Sequence, residues 1–125
     1  FQKGMRWGIG TMSWKNGDIY VGSWEQDLQS GQGKLTKKNN DIIEGQFHKG
    51  KMDGIVIIRY ADGNKFKGAY SNGKRNGEAV EETPDGKRFE GSYLNDKRHG
   101  KFVERDRNGR IIDRGVYENG RKYSN

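Results

Sequence analysis

One short pattern returns along the chain at a fixed spacing of 23 residues. An aromatic or aliphatic residue is followed two positions later by glycine and two positions after that by a second aromatic ring. A further glycine follows eleven positions after the first residue of each occurrence. Repetition this regular predicts one supersecondary unit that stacks against its own neighbours. The four occurrences are Tyr20-Val21-Gly22-Ser23-Trp24, Ile43-Glu44-Gly45-Gln46-Phe47, Phe66-Lys67-Gly68-Ala69-Tyr70 and Phe89-Glu90-Gly91-Ser92-Tyr93.

The period divides the chain into successive units that we expect to form one domain over residues 1–125. Backward extension places Phe1 in the position held by Trp24. In the last unit Gly115 and Tyr117 come one residue late, which predicts a β-bulge or a terminal cap. The predicted units are 1–19, which is partial, 20–42, 43–65, 66–88, 89–111 and 112–125, which is partial and slipped by one residue.

Turn-forming dipeptides mark the end of every unit. Asn-Gly and Asp-Gly accept the positive φ of tight hairpin turns, and they are a strong hairpin signal. A second, looser turn is predicted in mid-unit, for example at Gly50–Gly54 and Gly73–Gly77. Two turns per unit predict two strands per unit, and therefore an all-β chain of successive hairpins. The dipeptides are Asn16-Gly17, Asn39-Asn40, Asp62-Gly63, Asp85-Gly86 and Asn108-Gly109.

Strand geometry gathers the repeated rings on one face of the predicted sheet. Because side chains alternate between faces, Tyr20, Gly22 and Trp24 share one face. The glycine leaves a space over the backbone that neighbouring rings can fill. The rings should therefore stack from unit to unit into a ladder. Its predicted members are Phe1, Trp24, Phe47, Tyr70, Tyr93 and Tyr117.

The pattern Tyr-x-Gly-x-Trp, followed by the glycine-rich half Ser30-Gly31-Gln32-Gly33, resembles the MORN (membrane occupation and recognition nexus) repeat. The resemblance covers nearly the whole chain. It implies an elongated, twisted, single antiparallel sheet of successive β-hairpins with a groove along one face. It also implies scaffolding, binding of protein segments and attachment to phospholipid. The departures are Val56, Ala79 and Phe102 at the second glycine of the later units, and Asp27 and Asp96 at the mid-unit glycine.

We expect the aromatic face, with no second layer over it, to bind a partner peptide or helix. The chain would then be a scaffold or a protein-interaction module. Edge strands at the ends of such a sheet also make a homodimer through one end plausible. The predicted partner-binding residues are Tyr20, Trp24, Phe47, Phe66, Tyr70, Phe89 and Tyr93.

Basic residues at the mid-unit turns support an alternative function. The chain carries a net charge of +7, with 24 Lys and Arg against 17 Asp and Glu. Equivalent turns should line one edge of the sheet, so their charges should form a row that meets anionic phospholipid. Nucleic acid is disfavoured because the aromatic rings are committed to the repeat and acidic residues interrupt the row. The predicted row consists of Lys51, Lys74, Arg75, Lys97 and Arg98.

The sequence predicts no catalytic residue, no metal site and no cofactor, and so a chain that is not an enzyme. It has no cysteine, and its two histidines, His48 and His99, have no visible nucleophile partner. His99 is expected to hydrogen-bond the mid-unit turn. The chain could still be the accessory module of a larger enzyme. Since no apolar run is long enough to span a bilayer, a cytoplasmic location is expected, with cytoskeletal or membrane association as a further expectation.

Overall fold

The computed structural model describes residues 8–123, which form one open antiparallel sheet and no helix. Its twelve strands follow chain order across the sheet, except that β9 and β10 lie one after the other beside β8. The all-β prediction is confirmed. The strands are β1 (Gly8–Ser13), β2 (Ile19–Glu25), β3 (Leu28–Thr36), β4 (Ile42–His48), β5 (Lys51–Arg59), β6 (Lys65–Ser71), β7 (Lys74–Glu82), β8 (Arg88–Leu94), β9 (Lys97–Arg98), β10 (Gly100–Arg105), β11 (Ile111–Glu118) and β12 (Arg121–Lys122).

The mid-unit turns are tight two-residue hairpin turns, which corrects the looser turns predicted there. Both residues of each turn have positive φ, for example 49° at Lys49 and 84° at Gly50. This is the type I′ geometry, whose twist matches that of the flanking strands. The five turns are Gln26-Asp27, Lys49-Gly50, Asn72-Gly73, Asn95-Asp96 and Asn119-Gly120.

The second glycine of the expected loose turn lies inside a strand, at a bulge. Gly45 pairs with Val56 and Phe47 pairs with Met52, so three residues of β5 stand opposite one residue of β4. Gly54, at φ 105°, takes the left-handed conformation there and pairs instead with Tyr70 of β6. β5 therefore pairs with β4 on both sides of the bulge, while the bulged residues Gly54 and Ile55 pair with β6.

The turns between units use the predicted dipeptides in a three-residue loop. At Tyr60 the backbone N–H donates to the carbonyl of Asn64 at 2.9 Å, and the N–H of Gly63 donates back to the carbonyl of Tyr60 at 3.0 Å. Only Gly63 has positive φ, while the Asp62 carboxylate accepts the N–H of Asn64 at 3.0 Å. The Asp or Asn therefore holds the turn through its side chain.

Backbone hydrogen bonds also join the mid-unit turns of consecutive units. The N–H of the second turn residue donates to a carbonyl 21 residues earlier, as from Gly73 to Met52 at 2.9 Å. The last of these bonds, from Gly120 to Arg98, spans 22 residues. The difference has a local cause: Glu104 pairs with Asp113 and Arg105 pairs with Ile111, which leaves Ile112 as an extra residue in β11.

The core is a single layer of rings that lie flat on the sheet. Tyr20 and Phe66 are fully buried, and the other predicted partner-binding rings are at most 8% exposed. A Cβ added at Gly33 would stand 2.1 Å from the Tyr20 hydroxyl, so the ring occupies the space above this glycine. Tyr20 meets Trp24 and Phe47 edge to face, with ring centroids 5.2 Å apart in both pairs. The rings themselves thus fill the open groove expected from the sequence; Phe1 lies outside the described residues.

Candidate interaction surface

The first part of the aromatic face, as far as β5, is apolar around its rings. Met12, Trp14, Leu35 and Met52 are partly buried and pack against the core. They keep some surface exposed above the buried rings. This region offers a partner apolar contact rather than charge.

The later part of the same face carries charge at equivalent positions. Glu81 lies where the earlier units have Leu35 and Ile58, and Arg98 lies where they have Gln29 and Met52. The guanidinium of Arg98 donates to the Glu81 carboxylate at 3.1 Å. Tyr93 donates its hydroxyl hydrogen to the same carboxylate oxygen at 2.7 Å. Glu81 and Arg98 therefore each have a partner from another strand.

Arg98 also stacks on aromatic rings. Its guanidinium carbon lies 3.8 Å from the centroid of Phe89 and 5.4 Å from that of Tyr117. Burial would lower the pKa of Arg98, but hydrogen bonds to Tyr93 and Tyr117 and the charge of Glu81 raise it above its usual value. Arg98 is thus a permanent cation that ties β8, β11 and the core together.

Arg75 makes an analogous set of contacts one unit earlier. Its guanidinium lies 4.6 Å from the ring centroid of Tyr93 and donates to the Asp96 carboxylate at 3.1 Å. The backbone N–H of Arg75 donates to the same carboxylate oxygen at 2.8 Å. These hydrogen bonds, that of the backbone first, lower the pKa of Asp96. Asp96 therefore replaces the usual turn glycine with a residue that joins two units.

The structure divides the predicted row of five cations between two faces. Arg75 pairs with Tyr70 and Arg98 pairs with Tyr93 across the sheet, which places both on the aromatic face. Because side chains alternate along a strand, the residues directly before and after each of these two arginines point to the opposite face. This corrects the expectation that all five line one edge. Lys51, Lys74 and Lys97 remain on the outer side of the mid-unit turns.

These three lysines occupy equivalent places along that edge. The Lys51 side chain runs beside the next turn, where its Cβ would lie 3.8 Å from a Cβ added at Gly73; Lys97 has the same relation to Gly120. None of the three forms an ion pair with another residue of 8–123. Their charge is therefore available to an anionic surface.

His99 contacts the turn of the following unit, in keeping with its predicted role. Its Nδ1 accepts the backbone N–H of Asn119 at 3.4 Å. His48 lies in β4 on the exposed, outer face of the sheet. Neither histidine lies beside a residue that would make a nucleophile–base pair within the described chain.

Two pockets open on the aromatic face beside the turns between units. The larger, of about 410 Å³, lies between Tyr60, Glu81 and Phe89. The smaller, of about 270 Å³, lies between Trp14, Gln29 and Leu35. Burial raises the pKa of Tyr60, which is 36% exposed at the rim of the larger pocket. The two pockets are accessible concave regions of the aromatic face, whose rings are otherwise buried.

Sequence reasoning did not single out Trp14, Tyr60 or Glu81. The signal was present in the alignment of the units, in which Met12, Leu35 and Ile58 give way to Glu81 and Glu104. A carboxylate at a position that is apolar in three units points to a local polar arrangement. Trp14 and Tyr60 precede the turn dipeptides, so the sequence predicts that they are loop residues.

A family model of the MORN repeat matches residues 1–19, 20–42, 44–65, 66–88 and 89–109. The chain belongs to the MORN-repeat family. No curated protein is similar enough to this chain to be matched as a relative. MORN repeats serve as interaction and membrane-binding modules, and the family is typically non-catalytic. Within the part of this MORN chain that the structure describes, no helix is suited to crossing a membrane.

Proposed function

We propose that this MORN array is a non-catalytic scaffold that binds a partner peptide or helix along its aromatic face. The observation that carries the proposal is the larger pocket, of about 410 Å³, beside the partly exposed ring of Tyr60. The buried rings form a rigid floor beneath it, so that little conformational entropy is lost on binding. The predicted aromatic residues then shape the surface, while Trp14, Met52 and Tyr60 supply the contacts.

A peptide-display selection on the full chain tests this proposal. Random 16-residue peptides are selected, and the affinity of each binder is measured by fluorescence anisotropy. We expect Trp14→Ala or Tyr60→Ala to weaken binding at least tenfold. Ile55→Ala, at a residue that is 56% exposed on the opposite face, is the control and should leave binding unchanged. Binders that are insensitive to both aromatic-face variants would contradict the proposal.

A second candidate function is attachment to anionic phospholipid through Lys51, Lys74 and Lys97. The observation in its favour is their equivalent placement with no ion pair to another residue of 8–123. Each exposed Lys contributes about 1 kcal/mol near a charged membrane, and salt screens this attraction. Sedimentation with phosphatidylserine vesicles should therefore fall at higher salt. It should be lost when all three lysines are replaced by Ser, while peptide binding at the aromatic face persists.

We further propose that the array has no turnover of its own, that it works in the cytoplasm, and that it binds no nucleic acid. Its distinctive residues are accounted for by ring packing, turns and ion pairs, and acidic residues interrupt its basic positions. Purified protein should be inactive on ester, phosphate and glycoside substrates; activity abolished by His99→Ala would contradict this. Association of two copies through a sheet end is tested by sedimentation equilibrium.

A further inference from the structure

Arginines lie over aromatic rings at two places in the later part of the aromatic face. The guanidinium carbon of Arg75 is 4.6 Å from the ring centroid of Tyr93, and its guanidinium donates to the Asp96 carboxylate at 3.1 Å. Arg98 lies 3.8 Å from the centroid of Phe89 and donates to a glutamate carboxylate at 3.1 Å. Each arrangement therefore consists of a ring, a guanidinium and a carboxylate.

Tyr60 has the ring and the carboxylates of this arrangement but not the guanidinium. Its ring is partly exposed at the rim of the larger pocket. No arginine or lysine of residues 8–123 lies over it. Asp62 belongs to the same turn and lines the pocket, and Asp41 of the preceding unit accepts the N–H of Ala61 at 2.8 Å. Two parts of the arrangement are thus present here without the third.

Neither aspartate is neutralised by a cation within the described chain. Asp62 accepts the backbone N–H of Asn64 at 3.0 Å and the side-chain amide of the same residue at 2.9 Å. Asp41 accepts the side-chain amide of Asn39 at 3.0 Å in addition to the N–H of Ala61. All of these donors are neutral, and neither aspartate forms an ion pair with another described residue. Both negative charges are therefore available to a partner.

Two cations that border the larger pocket point away from the aromatic face. Lys65 and Arg88 each precede a buried ring, Phe66 and Phe89, so their side chains lie on the outer face. On that face the guanidinium of Arg88 lies 3.7 Å from the Glu82 carboxylate. Their positive charge is thus on the other side of the sheet from Tyr60.

Two further cations line the pocket, and each acts on a carboxylate of its own. Arg98 donates to Glu81 at 3.1 Å. Lys87 closes the next turn between units, where the Thr83 hydroxyl and the charge of Lys87 lower the pKa of Asp85. The cations of the pocket therefore leave the two aspartates uncompensated.

The charged groups that act on Tyr60 are mostly negative. Burial raises the pKa of its hydroxyl, and the charges of Glu81, Asp41 and Asp62 raise it further. Arg75 acts in the opposite direction. Because Arg75 and Glu81 each have a partner of opposite charge, the two aspartates determine the sign, and the potential around the ring is negative.

Resting on the function proposed above, we infer that the partner segment presents an arginine to the pocket beside Tyr60. Its guanidinium stacks on the Tyr60 ring and donates to the Asp62 carboxylate, while Asp41 adds to the attraction. This completes the arrangement that the array forms with its own arginines at Tyr93 and Phe89. Arginine suits the place better than lysine because its planar group stacks on a ring and hydrogen-bonds a carboxylate at the same time.

The composition of peptides selected on the full chain tests the inference. A protein of net charge +7 attracts acidic peptides in general, so enrichment in arginine would have a local cause. We expect an arginine at one fixed position of the peptides that depend on Tyr60. Its replacement by glutamine should weaken binding at least tenfold, and its replacement by lysine at least threefold, in fluorescence anisotropy at physiological salt.

Asp62→Asn locates the arginine on the array. Asparagine holds the same position in three other units, so this variant should keep the turn. It should weaken the arginine peptide at least fivefold and the glutamine version less than twofold. Asp85→Asn is the matched control, because it makes the same change in charge one unit later, where Thr83 stands in place of the ring. It should alter both affinities less than twofold. Thermal melts verify that both variants are folded.

The other outcomes separate this inference from the function on which it rests. Acidic or neutral peptides that depend on Trp14 and Tyr60 would overturn the arginine and leave the interaction face standing. Arginine peptides weakened equally by Asp62→Asn and Asp85→Asn would overturn the assignment to this pocket. Peptides that are insensitive to both Trp14→Ala and Tyr60→Ala would contradict the interaction face itself.

Discussion

The two halves of the aromatic face share one layer of buried rings and differ in the residues that flank those rings. In the first half Leu35 and Ile58 flank the rings, and in the second Glu81 occupies the corresponding position. The ring-ladder positions follow the same division, since Trp24 and Phe47 give way to Tyr70 and Tyr93. The second half offsets the lost apolar area with the Arg98–Glu81 ion pair and the stacking of Arg98 on Phe89.

This difference separates the positions that define the fold from the positions that are free to change. Glycine at Gly22, Gly45, Gly68, Gly91 and Gly115 and the ring beside it recur throughout. The flanking positions vary from Leu to Glu because a charged pair at half-exposed depth keeps part of its hydration and gains partners from neighbouring strands. A repeat array can therefore alter the chemistry of one region of its surface without altering its backbone.

The largest effect is expected where the shared floor is tightest. In the second half Ala79 occupies the repeat position that Gly33 occupies in the first. The sequence alone therefore predicts that Gly33→Ala leaves the stability unchanged. A Cβ there would stand 2.1 Å from the hydroxyl of the buried Tyr20, which must move. We expect a loss of about 3 kcal/mol in the free energy of unfolding, measured by urea denaturation.

Gly10→Ala is the matched control, because Gly10 holds the same slot one unit earlier. Its Cβ would meet Trp24 at 3.6 Å, an ordinary contact. The free energy of unfolding of this variant should remain within about 0.5 kcal/mol of the parent protein. Equal stability of the two variants would mean that the ring of Tyr20 does not fix the slot.

The layer of buried rings was predictable from the sequence, and the partly exposed residues around it were not. Period two and the 23-residue repeat place Tyr20, Gly22 and Trp24 on one face, because these rules depend only on backbone geometry. They also predict the late arrival of Gly115, which the structure resolves as an extra residue at Ile112. The glycine in the strand likewise predicts that rings fill the space above it, but the local pattern does not reveal that the ring of Tyr20 also lies over Gly33 of the neighbouring strand.

The charged residues show the same limit. Lys74 and Arg75 are adjacent in the sequence and read as one basic cluster. Their register against β6 places their side chains on opposite faces of the sheet. The guanidinium of Arg75 then donates to the carboxylate of the turn residue Asp96, 21 positions later in the chain. This ion pair depends on which turns of consecutive units lie next to each other. The spacing of charged residues along the sequence does not give that information.

Alkaline pH should destabilise the second half through Tyr70. Burial raises the pKa of Tyr70 from 10.0 to about 12. The resulting stabilisation is complete below pH 10 and is lost as the pH rises through 12. Tyr70→Phe, which copies Phe47 of the first half, removes this loss. Between pH 9 and pH 12 the variant should gain about 2 kcal/mol relative to the parent protein, measured by urea denaturation. Parallel curves would contradict the assignment.

The ion pair of the second half can be exchanged for the apolar residues of the first. Glu81→Leu leaves Arg98 without its carboxylate, and Arg98→Met leaves Glu81 without its cation. Each should cost about 1–2 kcal/mol in the free energy of unfolding. The double variant copies Leu35 and Met52, and it should recover about 1 kcal/mol of the summed cost in a double-mutant cycle. Strictly additive losses would show that the two side chains act independently.

The smallest effect concerns the turn that carries Asp96 where Gly50 and Gly73 stand in other units. The hydrogen bond from the backbone N–H of Arg75 is the largest cause that lowers the pKa of Asp96 below 3.8. Its stabilising contribution is therefore present above that pH and is lost as the pH falls through the lowered value. Both side chains are partly exposed, so the contribution should amount to about 0.5 kcal/mol. Asp96→Asn keeps a residue that tolerates positive φ and should flatten the decline in stability between pH 5 and pH 2. Arg75→Met, which copies Met52, removes the guanidinium but keeps the backbone N–H, so it should flatten the decline less. If Arg75→Met flattened it as fully as Asp96→Asn, the guanidinium and not the backbone would be the group that holds the carboxylate ionised.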